Sequence, residues 1–247
     1  MKNLVSVQST VLNDKVGNHA ARSILSDKGY KFYEIPTVIL TSHKGVKSTL
    51  QISDNNLNPW IIFNKVRQTY KLNLNDLTIV GYTPNLKVSK SISKIIKIQN
   101  RVILDPVMGD IGIGLYVEKD VANFFKKIMT KVKYISANFF EWSYLNNKDV
   151  NNYNLGEIIA DLKSFTKRFN SQVLIRSVPK NKKLLAEQFF LRSYIVSVLV
   201  VFESNYFYAI VNSKPQNLPI DQTILYVRIN LHVVDGIGAR YWKLVGP

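Results

Sequence analysis

The sequence contains no cysteine, an absence that excludes disulfide bonds, thiolate metal sites and a cysteine nucleophile together. It also lacks long hydrophobic runs: the longest apolar stretch, residues 194–202, is far shorter than the ~20 residues that span a bilayer. The first residues carry an apolar run that is too short for the core of a signal peptide. We therefore expect a soluble, cytoplasmic protein with no membrane association.

Acidic residues are scarce. The 17 aspartates and glutamates face 33 lysines and arginines, which gives a formal net charge of +16. Such a surplus is typical of proteins that bind nucleic acids or membrane surfaces, but it also follows from a general bias towards Lys, Asn and Ile. The basic residues are scattered and are not interleaved with aromatic residues as on a base-stacking surface. We therefore expect no nucleic-acid partner, although a basic nucleic-acid-binding protein is kept as an alternative.

Apolar runs typical of strands alternate with helical segments over the first two thirds of the chain. Strands are predicted at residues 4–8, 31–35, 38–41, 77–82, 102–104, 134–136 and 173–175, and helices at 18–28, 57–70, 85–98, 121–129 and 155–169. This order predicts one α/β domain over residues 1–247, with a doubly wound, mostly parallel sheet and helices on both faces. Further strands are predicted at 184–191, 195–202 and 206–211, as an antiparallel group at one edge.

Polar and glycine-rich segments follow several predicted strands, at the edge where ligands bind in doubly wound sheets. After the first strand, Ser9 could bind a polar ligand, and Gly17-Asn18 opens a helix whose start could hold an anion. After a later buried strand, Asp105 begins a run that ends in Asp110, with glycines that allow backbone close to phosphates. Each segment also has an ordinary explanation, as a strand–loop–helix connection and as an Asp-Pro turn.

Two further segments carry candidate chemistry. Asn138 ends a predicted strand and Glu141 follows three residues later, a spacing that favours a helix capping box and also allows a ligand site. Gly236 and Gly238 form a Gly-x-Gly turn before a predicted helix, and the backbone N–H groups of such a turn suit an oxyanion or a phosphate. Neither segment is specific when it is taken alone.

Taken together and in this order, the segments resemble the pyridoxal kinases of the ribokinase-like fold. The matching residues are Ser6-Val7-Gln8-Ser9, Val16-Gly17-Asn18, Thr37-Val38 with His43, Gly81-Tyr82, Asp105-Pro106-Val107-Met108-Gly109-Asp110, Leu115-Tyr116-Val117, Asn138 and Glu141. The likeness covers residues 1–178. Its Ser-x-Gln-Ser start favours pyridoxal kinases over hydroxymethylpyrimidine kinases, whose first loop is rich in glycine.

The resemblance implies ATP-dependent phosphorylation of the 5′-hydroxyl of pyridoxal or a related vitamer, with Mg²⁺, by a homodimer. The residues implied for the vitamer pocket are Ser9, Thr37, His43 and Tyr82. Those implied for the nucleotide are Asp105, Asn138, Glu141 and Ser177. Of these, Asp105 and Glu141 are also implied to hold the metal ion, and Gly236 with Gly238 is implied to form the anion hole of the catalytic site.

The sequence departs from the family mainly on the catalytic and nucleotide side. The family ends its anion hole with Gly-x-Gly-Asp, whose Asp is the catalytic base, whereas here Ala239 follows Gly238. Arg176 stands where the family has a small hydroxylated residue, and the chain ends nine residues after Gly238, without the family's C-terminal helices. Two interpretations stay open: a working pyridoxal kinase of unusual sequence, or a catalytically inactive, vitamer-binding remnant of one.

Overall fold

The computed structural model describes residues 2–14, 16–26, 29–42, 48–52, 57–179, 197–203, 206–212, 226–234 and 237–245. The chain forms two compact units. The first comprises residues 1–102 and 218–247, and the second comprises residues 103–217.

The first unit has a parallel core. Its N-terminal part contains β1 (Lys2–Val11), α1 (Asn18–Ser26), β2 (Tyr30–Leu40), β3 (Gln51–Ile52), α2 (Pro59–Tyr70), β4 (Leu77–Val80) and α3 (Leu86–Ile98). β1 lies between β2 and β4 and pairs in parallel with both, so that Val7 is level with Ile35 and Val80. β3 pairs antiparallel with the end of β2. The carboxyl ends of three parallel strands therefore meet at one edge.

The residues of these elements explain their positions. Leu4, Val5 and Val7 of β1 are fully buried, as expected for a central strand that is covered on both faces. Apolar residues of α2 recur at helical spacing; of these, Phe63 is buried, whereas Ile61 is 62% exposed. The helical period was therefore right, but the buried face of α2 is narrower than the apolar pattern indicated.

The second unit continues the same alternation. It contains β5 (Val102–Leu104), whose first residue belongs to the first unit, β6 (Gly109–Asp110), β7 (Gly114–Leu115), α4 (Lys119–Ile128), β8 (Tyr134–Asn138), α5 (Phe139–Leu145), α6 (Leu155–Phe169), β9 (Gln172–Pro179), β10 (Ser197–Glu203) and β11 (Tyr206–Asn212). β8 lies between β5 and β9 and pairs in parallel with both. β11 and β10 add antiparallel strands beside β9, which confirms the predicted edge. The strand predicted at 184–191 lies outside the described residues.

The last part of the first unit differs from the prediction. β12 (Tyr226–Val234) and β13 (Ile237–Val245) form an antiparallel pair in which Gly238 is opposite Val233 and Ala239 is opposite His232. The helix predicted after Gly238 is therefore wrong. A glycine followed by aromatic and branched residues suits an extended strand better than a helix, since glycine destabilises helix interiors.

These elements confirm the predicted class, an α/β fold with a mostly parallel sheet, helices and an antiparallel edge. None of the helices in the described part of the chain is long and apolar enough to cross a membrane.

Candidate functional site

A bulge in the first unit sets the position of Thr37. Gln8 of β1 pairs with Pro36 of β2, but two residues later Thr10 pairs with Ile39, so that β2 carries one extra residue. Such bulges bend a strand and re-aim a side chain, and they are frequent beside functional sites. Thr37 is the first residue after the last regular pair and is buried like Ile35, two residues before it.

The Thr37 hydroxyl donates a hydrogen bond to the backbone carbonyl of Tyr82, at 2.7 Å. The two residues come from opposite sides of β1, since Thr37 belongs to β2 and Tyr82 follows β4. Both are buried. Two of the residues predicted to line the vitamer pocket are thus in direct contact, at the carboxyl ends of the parallel strands.

Gly81, the residue before Tyr82, lets the Gln8 side chain approach the backbone closely. A Cβ atom at Gly81 would lie 2.6 Å from Oε1 and 2.9 Å from Cγ of Gln8, so that the Gln8 side chain would have to move. The Gln8 amide also donates to the Ser6 hydroxyl at 2.9 Å. The Ser6 and Gln8 side chains of the Ser-x-Gln-Ser motif are therefore hydrogen-bonded to each other, and Gln8 packs against Gly81, next to Tyr82.

The loop that leads into α1 packs against Ser9. Gly17 has φ +56°, and a Cβ atom there would overlap the carbonyl oxygen of Ser9. The Asn18 amide donates to the Gln8 carbonyl at 3.1 Å and to the Thr10 hydroxyl at 3.0 Å. Gly17-Asn18 thus closes tightly on the end of β1 and fixes the backbone that carries Ser9. His43, the fourth predicted pocket residue, lies outside the described residues.

In the second unit, Asp105 follows β5 and forms a buried ion pair with Arg176 of β9. Nη2 of Arg176 lies 2.7 Å from Oδ1 of Asp105 and donates to the Ser136 carbonyl of β8 at 3.1 Å. The side chains of Asp105 and Arg176 are each 1% exposed. Sequence reasoning assigned Asp105 to the nucleotide and the metal but did not identify its partner. The available signal was an arginine directly after the predicted strand at 173–175, because a buried charge requires a counter-ion.

Glu141 and Asn138 form the capping box that their spacing predicted. The backbone N–H of Glu141 donates to Oδ1 of Asn138 at 2.8 Å, and the backbone N–H of Asn138 donates to Oε2 of Glu141 at 2.7 Å. Oε1 of Glu141 accepts from the backbone N–H of Met108 at 3.2 Å. Both carboxylate oxygens of this buried residue are therefore occupied by backbone donors.

The Asn138 side chain also binds the loop that follows Asp105. Its amide donates to the Gly109 carbonyl at 2.8 Å and to Oδ1 of Asp110 at 2.7 Å. A Cβ atom on Gly109 would overlap the Phe140 ring. The structure thus brings together Asp105, Asn138 and Glu141 as predicted neighbours. Ser177 follows Arg176 in β9.

The carboxylates of this cluster do not fit a bound Mg²⁺ ion. Magnesium requires oxygen ligands in near-octahedral geometry, with room for several waters. Here Nη2 of Arg176 already contacts Asp105 and lies 3.7 Å from Oε2 of Glu141. Within the described ranges, no group of three or more His, Asp or Glu side chains could hold a metal ion. The two residues that were assigned to a metal are instead paired with a guanidinium group.

The guanidinium is only partly satisfied. Nε and Nη1 of Arg176 are buried and have no hydrogen-bond partner among the described residues. A buried donor without an acceptor costs about 1–3 kcal/mol. The arrangement is therefore not the one that would maximise stability.

Catalytic residues are predicted in the part of the first unit that forms β12 and β13. Gly238 and Ala239 belong to β13, and Gly236 lies outside the described residues. Their assignment to an anion hole stays a prediction.

The fold and these strand-end segments define the class, a ribokinase-like α/β protein, and the comparisons with known proteins refine it. No family model matches the chain. A Schizosaccharomyces pombe protein named "Putative pyridoxal kinase" is 28% identical over 158 residues, which are 61% of this chain and 50% of that protein. The "Putative pyridoxal kinase BUD17" of Saccharomyces cerevisiae is 25% identical over 230 residues, 86% of this chain and 69% of that protein.

A solved structure gives the same result. The pyridoxal kinase of Leishmania donovani, in complex with ADP and pyridoxamine, is 26% identical and superposes with a TM-score of 0.61. The match covers 73% of this chain and 64% of that one. The chain thus spans only part of these relatives, about half of the first. In sequence and in fold it is similar to pyridoxal kinases, which confirms the resemblance that its motifs predicted.

Proposed function

We propose that this chain binds pyridoxal or a related vitamer and phosphorylates its 5′-hydroxyl group with ATP, at a reduced rate. The observation that carries the proposal is the hydrogen bond between Thr37 and Tyr82, two motif residues of the resemblance that meet at the strand ends. The similarity to a kinase that was solved with ADP and pyridoxamine supports the same assignment.

Ser9, Thr37, His43 and Tyr82 of the first unit would contact the vitamer. Asp105, Asn138, Glu141 and Ser177 of the second unit would contact the nucleotide. A homodimer is proposed on the resemblance alone, and light scattering at micromolar concentration tests it.

In the proposed reaction, the 5′-hydroxyl oxygen attacks the γ-phosphorus of ATP. The new O–P bond forms as the bond to the β-phosphate oxygen breaks, ADP leaves, and the hydroxyl proton passes to solvent. Catalysis of such a transfer depends mainly on positioning and electrostatic stabilisation. We derive no step through Mg²⁺, since the carboxylates assigned to it are paired with Arg176.

The rate is expected to be low because Ala239 provides no carboxylate at the position where the resemblance implies the base. General-base catalysis is worth about 10²–10⁴-fold. A vitamer-binding protein without kinase activity is the second candidate. The buried pairing of Asp105 with Arg176 favours it, because that pairing removes a carboxylate from the nucleotide side.

ATP-dependent formation of pyridoxal 5′-phosphate separates the two candidates. The unmodified chain should show slow turnover and Ala239→Asp faster turnover, with vitamer binding measured in both to verify folding. Pyridoxal binding with no turnover in either protein would establish the binding protein instead. Absence of pyridoxal binding in a folded chain would contradict both.

A further inference from the structure

Arg176 occupies the place at which two buried carboxylates require a positive charge. Its Nη2 atom lies 2.7 Å from Oδ1 of Asp105 and 3.7 Å from Oε2 of Glu141. All three side chains are at most 1% exposed. Buried ionised groups need compensation by opposite charge or by a metal ion. We propose that Arg176 is a built-in cation that replaces a divalent metal ion at Asp105 and Glu141.

The Arg176 guanidinium group and a magnesium ion could not both lie beside Asp105. A magnesium ion lies about 2.0–2.1 Å from its oxygen ligands, which would put it in the space that Nη2 of Arg176 fills beside Asp105. Both oxygens of Glu141 already accept backbone N–H groups. A metal ion would therefore have to displace a like-charged guanidinium group and compete with these donors.

The path of the side chain supports the same conclusion. Arg176 reaches from β9 across β8 to the residue after β5, and it donates to the Ser136 carbonyl on the way. It does so with Nε and Nη1 left without partners among the described residues. This placement puts one positive charge beside the two carboxylates. A side chain that only filled space in the core would not require it.

The replacement has a consequence for phosphate-bearing ligands. A divalent ion brings two positive charges to the carboxylates, whereas one guanidinium group brings one. A polyphosphate would therefore meet a less positive site, and its binding would not depend on a metal at these residues.

Titration with Mn²⁺, followed by electron paramagnetic resonance, tests the proposal without vitamer or nucleotide. The full chain should show no saturable Mn²⁺ site. Arg176→Ser should bind one Mn²⁺ at least about tenfold more tightly than any residual binding in the full chain. Asp105→Asn in the Arg176→Ser background should remove that site. Arg168→Ser, in which an exposed arginine is lost from the same unit, is the matched control and should behave as the unmodified chain.

The opposite results overturn the inference. One is a Mn²⁺ site in the unmodified chain that Asp105→Asn abolishes, and another is a folded Arg176→Ser protein that gains no site. If Arg176→Ser does not fold alone, recovery of its far-ultraviolet circular dichroism in Mn²⁺ supports the proposal, and failure to recover counts against it. The inference concerns the same site as the proposed function, but metal binding and vitamer binding are measured separately, so that either can fail without the other.

Discussion

Arg176 and Asp105 are 71 positions apart in the sequence, and they form an ion pair of 2.7 Å in which each side chain is 1% exposed. The pair links the residue after β5 to β9, across the intervening strand β8. It therefore ties β5 to β9 through electrostatics, whereas hydrogen bonds hold the residues around the end of β1 in the first unit.

Removal of one partner of this pair should be strongly destabilising. Arg176→Met removes the guanidinium group from the buried Asp105 and Glu141 carboxylates, a loss expected to cost about 3–5 kcal/mol of unfolding free energy. The measurement is urea unfolding of Arg176→Met, of Asp105→Asn and of the double variant. The double variant should be more stable than the sum of the single losses indicates. Additive losses would show that the two residues are not coupled.

The two capping boxes of the second unit offer a matched comparison. Asn154 caps α6 in an exposed position, and Asn154→Ala should cost about 1 kcal/mol, as for an ordinary N-cap. Asn138→Ala should cost more, because its side chain also donates to the Gly109 carbonyl and to Asp110 inside the protein.

Nucleotide affinity distinguishes these two variants further. Under the proposed function, Asn138→Ala should weaken ATP binding and Asn154→Ala should leave it unchanged. Equal effects of the two substitutions on stability and on binding would show that Asn138 is only a helix cap.

Thr37 and Thr78 provide a similar pair on the vitamer side. Thr37→Val removes the hydroxyl that binds the Tyr82 carbonyl, and it should cost about 1–3 kcal/mol of stability and weaken pyridoxal binding. The Thr78 hydroxyl is buried without a partner among the described residues, so Thr78→Val should be neutral or stabilising. Thermal unfolding and vitamer titration of both variants test this difference. A Thr37→Val protein with unchanged affinity would remove Thr37 from the pocket.

Tyr153 should make stability fall in alkaline solution. Burial, together with the hydrogen bond that its hydroxyl donates to Asp161 at 2.8 Å, raises its pKa above the ordinary value of 10.0. The unfolded chain loses this proton above about pH 10 while the folded chain keeps it. The contribution of Tyr153 to the free energy of unfolding is therefore complete below pH 10. Above pH 10 it decreases by at most about 1.4 kcal/mol per pH unit.

Tyr153→Phe isolates this effect. The unmodified chain should lose more unfolding free energy between pH 9 and pH 11 than Tyr153→Phe does, as measured in urea. Parallel losses in the two proteins would mean that Tyr153 titrates alike in the folded and unfolded states.

Local patterns were sufficient for most of the fold. The spacing of apolar residues predicted α6 at its observed bounds. The first helix ends at Ser26, and Gly29, which was predicted to stop it, has φ +77°. The β12–β13 pair was missed although the sequence places Asp235-Gly236, a dipeptide typical of two-residue hairpin turns, between the two strands. The segment was instead interpreted as an anion-binding turn before a helix. Pro36 divided β2 into two predicted segments, although the strand continues through it.

The candidate site was predictable where it depends on short sequence separations. Asn138 and Glu141 are three residues apart, and their capping box follows from that spacing. The contact between Thr37 and Tyr82 depends on a bulge in β2, and the pairing of Arg176 with Asp105 depends on the order of three strands. Neither can be read from local pattern, because both arise only when distant strands pair.

Calorimetric titration of the full chain with pyridoxal and, separately, with ATP tests the central claim most directly. The claim predicts saturable pyridoxal binding that is tighter than ATP binding, because the departures from the family fall on the nucleotide side, at Arg176 and Ala239. Tight ATP binding with no detectable pyridoxal binding, in a protein shown to be folded, would contradict it.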